Sequence, residues 1–349
     1  MDILNKLIGA ASEAKASDMH INSGSTPIVR LDGALVELGG RPWDEETVRA
    51  AANSLMNEEQ REWFDKTGEV DLAVTNGNEA RIRCNIYRQM GRTAIAIRLL
   101  PVSIPTPEQI NLPETIVNLT KKKKGIVLVT GPTGSGKSTT LAALIHHINR
   151  TQNKHIITLE DPVEYIHTNI NSVIHHRQVG TDTQSFASGM RAALRQDPDI
   201  ILVGEMRDLE TISTAISAAE TGHLVFGTLH TTSAAGAVDR IIDSYPADQQ
   251  QQIRVQVADV LEAVVAQTLV PKKKGGRVGV HEIMIANTAI KQLIREAKTY
   301  QINSQIQLSG ASGMQLMDEA LLRLYKADTI SKEYALAAAN DKVLLGSRM

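Results

Sequence analysis

The chain has a single cysteine, Cys84. One cysteine makes neither an internal disulfide nor a cysteine-based zinc site, and it fits a reducing compartment. Aromatic residues are scarce, with 2 Trp, 6 Tyr and 3 Phe among 349 residues, so the core is expected to consist of Ile, Leu, Val and Ala. Neither sign of charge dominates: 37 basic and 39 acidic side chains leave a net charge of −2. No overall positive field therefore draws the chain to nucleic acid or anionic lipid. No apolar run reaches the ~18 residues needed to cross a bilayer. Asp2, Asn5 and Lys6 interrupt the start of the chain, where a signal peptide would be apolar. The expected address is cytoplasmic. A hydrophobic content of 42% excludes a disordered chain, and ~150 residues per domain suggests at least two domains.

Residues 1–100 read as a small mixed domain. Ile3, Leu4, Leu7, Ile8 and Ala11 recur at helical spacing. Strand-like runs follow at Met19–Ile21, Ile28–Leu31 and Ala34–Leu38, with Asp32-Gly33 as a hairpin turn. Asp44 is expected to cap one helix running toward Phe64. Val70–Thr75, the turn Asn76-Gly77, Ala80–Tyr87 and Thr93–Leu100 complete an antiparallel sheet. Pro101, Pro105, Pro107 and Pro113 mark residues 101–115 as a linker and hinge. From Gly125 the pattern changes. Short apolar strands at Ile126–Val129, His155–Leu159, Ile200–Val203 and Leu224–Thr228 alternate with helical stretches at Ser138–Asn149, Phe186–Arg195 and Leu209–Ala219. Buried strands alternating with helices predict an α/β domain over 116–285. Residues 286–349 read as mostly helical.

Gly131-Pro132-Thr133-Gly134-Ser135-Gly136-Lys137-Ser138 fits the phosphate-binding pattern G-x-x-x-x-G-K-[ST]. The glycines let backbone N–H groups turn toward phosphate oxygens. Lys137 would reach the β- and γ-phosphates, Ser138 would ligate Mg²⁺, and Thr139 follows in the first helical turn. An apolar strand precedes the loop and an amphipathic helix follows it, as the pattern requires.

Nucleotide hydrolysis also needs acids that hold the Mg²⁺ shell and activate water. The strand Ile200–Val203 ends in Gly204-Glu205, with glycine where an aspartate is usual, so Glu205 is the candidate. Glu160-Asp161-Pro162-Val163-Glu164 follows the preceding strand. Here Glu164 could act as general base, with Glu160 and Asp161 supporting metal or water. His230 ends the strand begun at Gly222-His223 and could donate to the γ-phosphate; His223 is a weaker candidate. Arg81 and Arg83 alternate on one strand, with Arg98 on the next. Arg191 and Arg195 share a helix face, and Arg207 follows Glu205. Arginine grips phosphate through two nitrogens, and one site cannot use so many. Some are expected to act as trans fingers on a neighbouring subunit.

Together these motifs resemble the secretion ATPases of type II, type IV pilus and type IV secretion systems. Thr158-Leu159-Glu160-Asp161-Pro162-Val163-Glu164-Tyr165 resembles their Asp box. Arg195-Gln196-Asp197-Pro198-Asp199 and Gly204-Glu205-Met206-Arg207-Asp208 resemble their atypical Walker B region. Gly222-His223 through Leu229-His230-Thr231 resembles their His box. The missing tetracysteine insert points toward the pilus-retraction members. So does Ala289-Ile290-Lys291-Gln292-Leu293-Ile294-Arg295-Glu296, which resembles their AIRNLIRE helix with Lys291 for Arg and Gln292 for Asn.

The resemblance implies a PAS-like first domain, a RecA-like P-loop NTPase domain with a helical C-terminal segment, and a homohexameric ring using ATP and Mg²⁺. It implies Glu205 as the Walker B glutamate, Glu164 as catalytic base, His230 near the γ-phosphate, and Arg81, Arg83 and Arg98 as nucleotide clamps. Its implied partners are an inner-membrane pilus platform protein and a paralogous retraction ATPase. Competing readings are an accessory retraction ATPase, a pilus-assembly or type II secretion ATPase, an ATP-binding regulator and a nucleic-acid translocase. The translocase needs aromatics interleaved with basic residues. Lys121–Lys124 and Lys272–Lys274 have no aromatic neighbours, so no nucleic-acid partner is expected.

Overall fold

The computed structural model describes residues 2–31, 33–76, 80–100 and 103–349. The turns expected at Asp32-Gly33 and Asn76-Gly77 fall partly outside these residues, as does Pro101. The chain forms two compact units, Met1–Ser103 and Ile104–Met349, so Pro105, Pro107 and Pro113 belong to the second.

The first unit contains strands β1 (Asp18–Asn22), β2 (Ile28–Leu31), β3 (Ala34–Glu37), β4 (Glu69–Asn76), β5 (Ala80–Gln89) and β6 (Arg92–Leu100). They form an antiparallel sheet in the order β3-β2-β1-β6-β5-β4. Helices α1 (Asp2–Glu13), α2 (Glu45–Leu55) and α3 (Glu58–Thr67) accompany the sheet. Its core contains Leu4, Ile8, Met19, Ile21, Ile82 and Ile86. The single helix expected from Asp44 toward Phe64 is two. Asn57 accepts from the Gln60 amide at 2.8 Å while its own amide donates to Gln60 Oε1 at 2.9 Å. This reciprocal cap starts a new helix and stops the first one short.

The second unit opens with the short helix α4 (Glu114–Val117), then β7 (Gly125–Thr130), α5 (Lys137–Thr151), β8 (His155–Glu160), β9 (Val173–Gln178), α6 (Phe186–Ala193), β10 (Ile200–Val203), α7 (Leu209–Glu220) and β11 (Leu224–Leu229). It continues through α8 (Ala234–Asp243), α9 (Gln250–Val260), β12 (Leu261–Pro271), β13 (Arg277–Ile285), α10 (Thr288–Arg295), α11 (Ile302–Leu308), α12 (Met317–Lys326), α13 (Lys332–Ala338) and α14 (Lys342–Ser347). The sheet order is β13-β12-β7-β11-β10-β8-β9, parallel except for β13. Apolar clusters around Leu128, Ile201 and Val225 and around Val127, Leu202 and Phe226 bury both faces. The nearly continuous apolar strands reflect this two-sided burial. Strands β9, β12 and β13 were not expected. The polar sequence of β9 suits an edge, and β12 follows α9 with no turn signal between them.

The C-terminal helices α12–α14 pack Leu321, Leu322 and Leu345 against Val270 and Val280 of the β12–β13 hairpin. Glu282 of β13 is 1% exposed. Its carboxylate accepts from the Ala234 amide at 2.7 Å and the Met317 amide at 3.4 Å, so it caps α8 and α12 together. Burial pushes its pKa up, against these two amides. Among the described residues no helix is long and apolar enough to cross a membrane.

Candidate active site

Parallel pairing brings the carboxyl ends of β7, β8, β10 and β11 to one edge of the sheet, where an open α/β sheet binds ligands. Gly131–Lys137 leaves β7 and enters α5 at that edge. Gly131, Gly134 and Gly136 all have φ between +79° and +145°. A Cβ on Gly131 would lie 2.2 Å from the Gln267 carbonyl oxygen, and one on Gly136 would lie 2.9 Å from Gln267 Nε2. Glycine is thus required both by backbone conformation and by the closeness of β12.

Gln267, 3% exposed, fastens the loop. Its Nε2 donates to the Ser135 carbonyl at 2.7 Å, and its Oε1 accepts from Thr140 Oγ1 at 2.8 Å. Lys137 Nζ donates to the loop's own carbonyls, Gly131 at 2.7 Å and Pro132 at 3.0 Å. Burial lowers its pKa, against the opposing pull of Glu205 and Glu164. Ser135 Oγ is buried with no hydrogen-bond partner among the described residues. Left-handed glycines, an ammonium turned onto backbone carbonyls and an orphan hydroxyl at a helix N-terminus fit a polyphosphate.

The acids converge on this loop. Gly204 donates to the Leu159 carbonyl at 2.7 Å, and a Cβ there would meet that oxygen at 3.1 Å. The close approach of β10 to β8 accounts for glycine in place of the usual aspartate. Glu205 Oε1 accepts from His230 Nε2 at 2.8 Å and pairs with Arg207. Burial pushes the Glu205 carboxyl up, but Arg207 and His230 outweigh it and hold its pKa below the usual value. Thr228 Oγ1 donates to the Gly204 carbonyl at 2.5 Å, tying β11 to the same turn. Glu160 ends β8, its Oε2 3.5 Å from the Glu164 amide and its Oε1 3.8 Å from His176 Nδ1. Thr139 Oγ1 and the Tyr165 hydroxyl lie 2.9 Å apart, coupling the acidic loop to the first turn of α5. Exposed Asp161 lies within electrostatic reach of Arg207. Behind this loop His176 stacks on His167 with ring centroids 5.6 Å apart. Burial, with His176 and His146 nearby, pushes His167 down to about 3.

Other candidates lie elsewhere. His223 sits at the amino end of β11, the opposite sheet edge from the chain's own P-loop, where Nδ1 meets the Ala218 carbonyl at 2.9 Å. The strand separates the two His-box histidines. Arg191 pairs with Glu210, and Arg195 donates to the Arg191 carbonyl at 3.0 Å. Asp208 caps α7 through the Thr211 amide at 2.8 Å, and Asp199 binds Lys154 Nζ at 2.8 Å. In the first unit, cross-strand register sets Arg83 directly opposite Arg98. Arg81 and Arg83 share a face opposite buried Ile82 and Cys84, and Arg98 Nε reaches Asp18 Oδ1 at 3.0 Å. Burial and Asp71 push the Cys84 thiol up to about 12.

Helix α10 buries Ile290 and Ile294, with Leu293 packed beside them. Ala289 and Gln292 are exposed. Lys291 Nζ donates to the Asp259 carbonyl at 3.2 Å, and Arg295 Nη2 pairs with Asp259 Oδ1 at 2.5 Å. Two cations thus meet the carboxyl end of α9, where the helix dipole favours them. Gln292 Nε2 donates to Glu296 Oε1 at 2.5 Å.

A P-loop with strand-end carboxylates on a parallel sheet defines a P-loop nucleotide-binding fold. Residues 1–336 match the type II/IV secretion system protein family, and the chain belongs to that family. It is 44% identical over 335 residues to the Pseudomonas aeruginosa type IV pilus retraction ATPase PilT, covering 96% of this chain and 97% of that one. It is 45% identical over 317 residues to a Neisseria gonorrhoeae twitching motility protein, covering 90% and 85%. A crystal structure of the pilus retraction motor PilT with bound ADP superposes with a TM-score of 0.92 at 46% identity, covering 99% of each chain.

Proposed function

We propose that the protein is an ATP-hydrolysing motor that powers type IV pilus retraction and hence twitching motility. The observation that carries this reading is the convergence of Glu164, Glu205 and His230 on the Lys137 loop, in a chain similar along nearly its whole length to a retraction ATPase. Bound at this loop, MgATP would supply the phosphoryl group together with a cation that offsets its charge. Lys137 would exchange its carbonyl partners for phosphate oxygens. Ser138 would hold the metal, with Glu205, Glu160 and Asp161 around its water shell. Among the described residues no three His, Cys, Asp or Glu side chains are grouped to hold a metal alone. Glu164 would deprotonate the attacking water, and His230 would hydrogen-bond the γ-phosphate side.

The working form is a homohexameric ring, in which Arg81, Arg83 and Arg98 clamp nucleotide. Arg191, Arg195, Arg207 and His223 serve the same or a neighbouring site. The domain boundaries are those read above, 1–100, 116–285 and 286–349, with the proline-rich 101–115 as hinge. The ring lies at the cytoplasmic base of the pilus, against an inner-membrane platform protein. The α10 segment serves retraction, and a paralogous retraction ATPase shares the base. Deleting the gene in its host, then counting surface pili and scoring motility, tests the reading. Many pili without motility is the expected result; few or no pili would mean the chain drives assembly.

A further inference from the structure

Residues 161–168 carry Glu164, yet they form neither strand nor helix. Among the described residues they make no backbone–backbone hydrogen bond. Three of their amides are met by side chains instead. The Val163 amide donates to Gln178 Oε1 at 3.4 Å, the Glu164 amide to Glu160 Oε2 at 3.5 Å and the His167 amide to His176 Nε2 at 3.0 Å. A hydrogen bond weakens as it lengthens, so the bond to His176 is the strongest of the three. An amide only donates. Nε2 therefore carries a lone pair and the ring proton sits on Nδ1, which donates to Thr158 Oγ1 at 2.9 Å. Thr158 is 1% exposed and stands directly beside His176 in the β8–β9 pairing. His176 is thus anchored on the strand that leads into the acidic loop, and it grips the loop's far side. Its ring also stacks on His167. Val163, Tyr165 and His167 are buried, and Glu164 among them is half-buried. A shift of this segment therefore moves Glu164, which lies within electrostatic reach of Lys137.

We infer that His176 is a positioning residue for hydrolysis: through the His167 amide it holds the segment that presents Glu164. The inference rests on the reading of Glu164 as the base that activates water. A base works only within hydrogen-bond reach of the proton it takes, and a misplacement of about 1 Å can cost ~100-fold in rate. The partners of His176, Thr158 and His167, lie outside the P-loop, so nucleotide binding does not depend on it.

Phosphate release and calorimetric MgATP titration on the full-length chain test this with two opposed substitutions. His176→Phe keeps the ring and its stacking but loses both hydrogen bonds. His176→Gln loses the ring but sets an amide oxygen where Nε2 stood. His176→Phe should lower kcat about tenfold to a hundredfold and leave MgATP affinity within about twofold; the retained affinity also reports a folded variant. His176→Gln should be the faster of the two, because it restores the acceptor, whereas a packing role alone predicts the reverse order. Without nucleotide, deuterium exchange over residues 161–168 should be faster in His176→Phe than in wild type, and slower again in His176→Gln. In a Glu164→Gln background His176→Phe should add no further loss, since it acts through a base that is already gone. Any one of four results would overturn the positioning role alone: wild-type turnover or unchanged exchange in His176→Phe, a matching loss of MgATP affinity, His176→Gln no faster than His176→Phe, or a loss that multiplies with Glu164→Gln. A wild type without ATP turnover, or Glu164→Gln as active as wild type, would overturn the base assignment, and this inference with it.

Discussion

Gln267 offers a direct test of how the P-loop is held. Replacing it by Leu keeps the side chain's approximate volume and removes both hydrogen bonds. The Ser135 carbonyl and the Thr140 hydroxyl, in residues 3% and 2% exposed, then lack partners. Each stranded buried group costs about 1–3 kcal/mol, and the added apolar burial returns about 1 kcal/mol. The net loss is about 1–5 kcal/mol. Urea denaturation of the full-length chain measures it, with a transition resolved for each unit where the two separate. Gln267→Glu sharpens the test. It preserves the acceptor for Thr140 but sets an oxygen against the Ser135 carbonyl, so the carboxyl must keep its proton to donate. Its folded-state pKa is therefore raised above the unfolded value near ~4.3. The unfolded state then binds fewer protons as pH rises, and the variant loses stability from about pH 4.3 upward until the folded pKa is passed. A loss under 1 kcal/mol for Gln267→Leu, or a pH-independent deficit for Gln267→Glu, would refute the claim that these two bonds fasten the loop.

Three further expectations concern the same unit. His167 and His281 are buried neutral, with pKa values pushed down to about 3 and about 4. Between these values and ~6.5 the unfolded chain binds more protons, so stability is lost as the pH is lowered; at pH 5 each contributes about 2 kcal/mol of loss. His167→Phe should flatten the pH dependence of the urea midpoint, and an equally steep profile would count against the assignment. Gly204→Asp restores the residue usual at that place, yet its Cβ would crowd the Leu159 carbonyl. We expect a destabilisation of about 1–3 kcal/mol and slower ATP turnover, and a variant as stable and active as wild type would contradict this. Lys137→Ala should abolish nucleotide use, whereas Glu205→Ala should bind ATP with little hydrolysis; full phosphate release by either removes its assigned role.

The buried strands and the loops they carry were readable because their chemistry is local. An apolar run followed by Gly131–Ser138 specifies a strand, a turn and a helix start within one stretch of chain. Glu205 was found for the same reason, at the end of Ile200–Val203. Gln267 was not. Its strand, β12, begins where α9 ends with no turn residue between, and its importance lies in long-range hydrogen bonds to Ser135 and Thr140. The break between α2 and α3 did carry a local signal, Asn57 followed by Gln60, but it lay inside a stretch of continuous helical propensity. His223 shows the converse: near His230 in sequence motif, it is carried to the far end by the full length of β11.

The double role of Glu282 bears on how this chain can change over evolutionary time. One carboxylate terminates both α8, which follows the His230 turn, and α12, which begins the terminal helices. Those helices are therefore not an exchangeable tail. A truncation before Met317, or a swap with another protein's terminus, leaves one oxygen of a buried acid facing no donor, while its other oxygen caps a helix that begins four residues after His230. Divergence at the end of the chain is thereby constrained by the chemistry at its centre.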